Sequence, residues 1–99
     1  MFPVADGHCD FLYGAVQSGY ELNHPKRDQA IQLDGLLNGG VALQFFACWI
    51  DTALATPPLH QCIAMMDAYQ RMLREQPSLV PFSRDFTPES GKIATLLAI

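Results

Sequence analysis

Apolar residues are distributed along this chain in two distinct rhythms. Val41-Ala42-Leu43-Gln44-Phe45-Phe46-Ala47-Cys48-Trp49-Ile50 is an almost unbroken apolar run between Gly39-Gly40 and Asp51. Such a run predicts a strand buried on both faces, as in a parallel sheet. Gln44 is its one polar side chain, there either to bond a neighbouring backbone group or to face a site. Lys92-Ile93-Ala94-Thr95-Leu96-Leu97-Ala98-Ile99 predicts another apolar strand, and Val4-Ala5 ahead of Asp6-Gly7 a short one. The second rhythm is helical. Leu59, Cys62/Ile63, Met66, Tyr69 and Leu73 recur at three- and four-residue steps, with Gln61, Gln70, Arg71, Arg74 and Glu75 on the other side. Thr56 is the expected N-cap of this helix, with proline at its first position, and Gln76-Pro77 its stop. Met65, Met66 and Met72 read as core filler.

The segments between are shorter. Phe11 to Val16 predicts a brief helical segment ended by Gly19, and Tyr20 to Arg27 a polar loop containing His24-Pro25. Asp34 is placed to cap a short helical turn that Gly39-Gly40 closes. Ser78 to Gly91 reads as a connection with one helical turn near Thr87-Pro88-Glu89. The order is β, short α, β, long α, β, which predicts an α/β fold: a parallel βαβαβ unit with right-handed crossovers, in one domain over residues 1–99. The third strand, last in the sequence, is expected to leave an edge and a face open.

Composition narrows the function. Hydrophobic residues make up 49% and charged residues 16% of the 99 positions. That is apolar for a domain of this size, and it implies surface that another chain or further residues would cover. Net charge is −4 and Lys26-Arg27 is the one adjacent basic pair. Nothing supplies the electrostatic attraction that nucleic-acid binding needs. No apolar run approaches the roughly 20 residues of a membrane span. Cys9, Cys48 and Cys62 are odd in number and without a C-x-x-C pair, which reads as reduced thiols in a cytoplasmic protein.

The chemistry concentrates in Asp6-Gly7-His8-Cys9-Asp10. If this stretch is extended, His8 and Asp10 project side by side from the C-terminal end of the first strand. In α/β folds that end is where sites form. An imidazole and a carboxylate are both ligands for a divalent ion such as zinc. A plainer reading fits the same residues: Asp6-Gly7 a turn, His8 a surface histidine, Asp10 the N-cap of the next helix. Thiol chemistry at Cys9 is disfavoured, since neighbours in a strand point to opposite faces.

Four segments together resemble the membrane (renal) dipeptidase family of zinc-dependent amidohydrolase-like barrels. They are Asp6-Gly7-His8-Cys9-Asp10, similar to the family's D-G-H-x-D; Leu36 to Phe46, similar to L-x-x-G-G-V-x-x-Q-F; the helix from Leu59 to Arg74; and Gly91-Lys92-Ile93-Ala94, similar to G-K-[IV]-A. The resemblance implies a TIM (β/α)8 barrel, of which this chain would be the N-terminal portion with the first three strands. It implies a two-zinc centre that hydrolyses the peptide bond of dipeptides, with His8 and Asp10 on the first metal. The family's bridging glutamate, later histidines and substrate-binding arginine have no counterpart in these residues, and His24 and His60 match no ligand position. The 99-residue chain is therefore expected to bind zinc weakly and to be inactive alone, with no catalytic residue of its own. The alternative is a non-catalytic α/β interaction module that self-associates as a homo-oligomer through its open strand and apolar faces.

Overall fold

The computed structural model describes residues 2–89 and 91–99. Seven elements follow one another: β1 (Val4–Asp6), α1 (Phe11–Ser18), α2 (Leu33–Asn38), β2 (Val41–Ala47), α3 (Pro58–Glu75), β3 (Leu79–Pro81) and β4 (Ile93–Ala98). The strands form one sheet in the order β1-β2-β4-β3, and every pairing is parallel. The α/β class and the parallel sheet are as the hydrophobic pattern predicts.

The expected side-chain caps do not form, and Gln32, not Asp34, holds the cap position of α2, whereas the C-terminus of α1 follows its local chemistry. Gly19 ends α1 in the left-handed region at φ 69°, and its N–H donates to the Gly14 carbonyl. A side chain there would meet a steric penalty that glycine does not. The N-terminus of α3 departs from expectation. Its first residue is Pro58, Pro57 holds the cap position, and no side chain caps it. Thr56 lies one residue too early to reach the free N–H groups; its own carbonyl is taken by Gln61 Nε2 instead, at 2.8 Å.

One buried cluster holds the layers together. Side chains two apart on a strand share a face, and Phe46 and Ile93 point to the face that the helices cover. The Phe46 ring meets Phe11 of α1 edge-on at 6.3 Å and Tyr69 of α3 at 6.1 Å. Leu12, Leu36, Met65 and Met72 complete the same cluster. Leu43, Phe45 and Leu96, on the opposite face, are only half-buried. The expectation that β2 is buried on both faces is thus corrected: helices pack on one side of it.

Two further expectations are corrected. Leu79–Pro81 forms a strand where a plain connection was expected, and no helical turn forms at Thr87-Pro88-Glu89. A three-residue segment containing proline carries no alternation to read. It exists because β4 offers it an edge, pairing Leu79 with Ile93, Val80 with Ala94 and Pro81 with Thr95. For the same reason the last strand is internal, flanked by β2 and β3, and not a bare edge. Only its far half, beyond Thr95, lacks a neighbour on the β3 side.

The inward face of α3 also differs from expectation. It is made up of Gln61, Met65, Ala68, Tyr69 and Met72. Leu59, Ile63 and Met66, expected in the core, are 67%, 54% and 39% exposed. Tyr69 is buried as expected, and Cys62 and Leu73 pack against the core, so the inward face is the expected one turned toward Gln61. Facing Tyr69 inward lets its hydroxyl meet Thr95 Oγ1 at 2.8 Å, and facing Gln61 inward ties down the loop after β2.

Candidate functional site at the C-terminal rim of the sheet

Strand β1 ends at Asp6, so His8, Cys9 and Asp10 lie in the loop that leads into α1. The two candidate ligands meet nonetheless, by a route other than strand alternation. His8 Nε2 and Asp10 Oδ1 are 2.9 Å apart. A carboxylate only accepts, so Nε2 is the ring nitrogen that donates. Their side chains are 62% and 52% exposed, open to solvent at the rim. Asp10 occupies the N-cap position of α1, but its carboxylate makes no capping bond and turns to His8.

Strand β2 holds this loop at both ends. Gln44 Nε2 donates to Asp6 Oδ2 at 2.7 Å, and the Ala47 N–H donates to the Cys9 carbonyl at 3.0 Å. The Cys48 N–H reaches across to the Ala98 carbonyl of β4 at 2.8 Å, so the ends of three strands are joined at one rim. Cys9 itself points inward and is buried. Burial pushes its thiol up to about 11. It stays protonated and takes no part in the exposed chemistry.

A second cluster, which the sequence pattern does not announce, joins the first turn of α1 to the residues after β2. Trp49 and Asp51 follow β2, and Tyr13 sits in the first turn of α1. The Tyr13 hydroxyl donates to Asp51 Oδ2 at 2.6 Å, and its ring meets Trp49 edge-on at 5.0 Å. The Asp51 carboxylate also accepts from the Ala53 N–H at 2.9 Å. The Tyr13 hydroxyl, and then that N–H, hold the Asp51 carboxyl below its ordinary range. One cue was available: an acid directly after an apolar strand, at the end of the sheet where sites form.

No protein-family model, curated protein or solved structure matches this chain. The reading of the site therefore rests on its own geometry. Adjacent ligands at zinc–donor distances of about 2.0–2.1 Å and tetrahedral angles lie roughly 3.3 Å apart. The His8–Asp10 separation of 2.9 Å would need to open only slightly to admit an ion. Two donors suit part of a metal site and not the whole of one, since zinc sites use three or four protein ligands. Among the described residues no group of three or more His, Cys, Asp or Glu side chains converges. His24 and His60 are exposed and stand apart, on the loop after α1 and in the first turn of α3. Among the described residues no helix is long and apolar enough to cross a membrane.

Proposed function

We propose that this chain is the N-terminal portion of a metal-dependent, membrane-dipeptidase-like hydrolase built on a (β/α)8 barrel. His8 and Asp10 are the protein's contribution to one divalent metal, zinc by the chemistry of the donors. The observation that carries the reading is their contact at 2.9 Å, solvent-exposed, just past the C-terminal end of a strand in an all-parallel sheet. A cation can replace the proton that the two now share. Zinc bound there would supply a water acidic enough to ionise near neutral pH and a Lewis acid for the scissile carbonyl. The roles left to these residues are modest: His8 presents a neutral ring nitrogen, and Asp10 a carboxylate charge.

Zinc titration of the 99-residue chain, read by competition with a chromogenic chelator, tests this. Weak one-to-one binding, lost in His8→Ala and in Asp10→Ala, is expected, with no hydrolysis of dipeptides. Binding that survives both substitutions would remove the proposal. So would dipeptidase activity of the chain alone, because it would place the catalytic machinery elsewhere in these residues.

A second reading, a self-associating interaction module, draws support from the exposed stripe Leu59, Ile63 and Met66 on α3. Light scattering distinguishes it. A dimer that Ile63→Ser converts to monomer favours the module, and a wild-type chain that is monomeric at high concentration counts against it.

A further inference from the structure

Four glutamines are buried in this protein, and three of them make side-chain hydrogen bonds that can be compared. Gln29 uses both ends of its amide: Oε1 accepts from the Lys26 N–H at 3.2 Å, and Nε2 donates to the Glu21 and Ile31 carbonyls at 2.9 and 2.8 Å. Gln61 does likewise, between Asp51 and Thr56. These two are loop staples. Gln44, with no exposed surface, is bonded at one end only. Its Nε2 donates to Asp6 Oδ2 at 2.7 Å and to the Phe45 carbonyl at 3.1 Å. Its Oε1 is the one buried side-chain polar atom without a partner among the described residues.

An orphaned buried carbonyl costs about 1–3 kcal/mol. A methionine would fill the same space in β2 without that penalty, so the amide is not there for packing. Its one bond to another element goes to Asp6, the last residue of β1 and the first of the stretch that carries His8 and Asp10. Gly7 follows, and nothing lies within 4 Å of where its Cβ would be. A side chain at Gly7 would therefore meet no neighbour. The β1–β2 ladder ends with Asp6 paired to Gln44, and beyond that pairing the chain through Gly7 and His8 has two further ties to β2, the Gln44 amide on Asp6 and the Ala47 N–H on the Cys9 carbonyl. The second is backbone and present whatever the side chains. The first is the one that the sequence chooses.

We infer that Gln44 is a positioning residue for the His8–Asp10 pair: acting through the Asp6 carboxylate, it fixes the turn from which His8 is presented. The inference deepens the metal-site proposal and rests on it for the zinc measurement, though not for the conformational one.

The test is Gln44→Met in the 99-residue chain. NMR three-bond couplings report the χ1 rotamers of His8 and Asp10 without any metal. Single rotamers in the wild type that become averaged in Gln44→Met are expected. The melting temperature should be unchanged or raised, because the orphan carbonyl is gone. Zinc affinity should fall about tenfold or more, the usual consequence of losing a group that orients a ligand. Asp6→Asn, which keeps an acceptor for Nε2, should retain the wild-type couplings. Wild-type couplings in Gln44→Met would overturn the inference. So would averaging that appears only together with a lowered melting temperature, since that is what a merely structural role predicts. Should Gln44→Met fail to fold, Asp6→Ala cuts the same tether from outside the core: averaged couplings support the inference and unchanged ones overturn it. A wild-type chain that takes up no zinc would defeat the metal proposal and leave this comparison standing.

Discussion

Hydrophobic periodicity and the folded structure make opposite forecasts for two residues of α3, Leu59 and Gln61. Periodicity places Leu59 in the core and Gln61 in water. In the structure Leu59 is 67% exposed and Gln61 is buried. Gln61 Oε1 accepts from the Asp51 N–H at 3.0 Å, and Nε2 donates to the carbonyls of Asp51 at 3.1 Å and Thr56 at 2.8 Å. Gln61→Leu removes all three bonds. At about 0.5–1.5 kcal/mol net for each, with a small return from the added apolar burial, the loss is about 2–3 kcal/mol. For a domain of this size that lowers the melting temperature by roughly 10–20 °C. Leu59→Gln, on the exposed stripe, should change stability by less than about 0.5 kcal/mol. Urea unfolding followed by circular dichroism measures both. Trp49 fluorescence adds a local probe, because Trp49 packs on Tyr13, whose hydroxyl holds the Asp51 carboxylate of the same loop. The reverse ranking, with Leu59→Gln the more damaging, would show that α3 is rotated from the position described and would refute the argument for its inward face.

Other expectations follow from the core and the thiols. Phe46→Ala removes a ring with no exposed surface that touches rings from two helices, and should cost about 3–5 kcal/mol, enough to leave the chain largely unfolded by circular dichroism at 37 °C. Desolvation lifts Cys9 from 9.0 to about 11. Desolvation and then the neighbouring Cys62 thiol lift Cys48 from 9.0 to about 11. Folded protein then holds protons that unfolded protein has released, so stability is whole below pH 9 and falls as pH rises from about 9 to about 11. Urea midpoints across that range check the sign, and Cys9→Ala should flatten part of the decline. At pH 8 both thiols should resist a disulfide reagent until denaturant is added.

The outline of the fold is legible because its strongest signals are local. The run through β2 is apolar enough to need cover on at least one face, Gly19 can adopt the left-handed turn that ends α1, and α3 is long and periodic. What escapes is decided by partners distant in sequence. Leu79–Pro81 becomes a strand only because β4 lies alongside it. The turn of α3 that brings Gln61 inward meets the Asp51 loop, which no count of apolar spacings contains. The meeting of His8 with Asp10 is legible as proximity, but the reason is not. Strand alternation would bring them together along an extended chain, whereas the structure does so in a loop tethered by Gln44 and Ala47. Tyr13 and Asp51 are 38 positions apart, and only the sheet brings them together.

The strand order has a consequence for how the protein assembles. A nascent polypeptide that has reached Pro81 possesses β1 beside β2 and, separately, the three residues of β3, with a gap one strand wide between them. Hydrogen bonds cannot bridge that gap, so β3 has no reason to hold its shape. When Ile93–Ala98 arrives it fills the vacancy and satisfies both neighbours in a single step. Assembly of the sheet is therefore all-or-none at its centre, and a ribosome-bound intermediate should expose β2 as a sticky margin until β4 emerges.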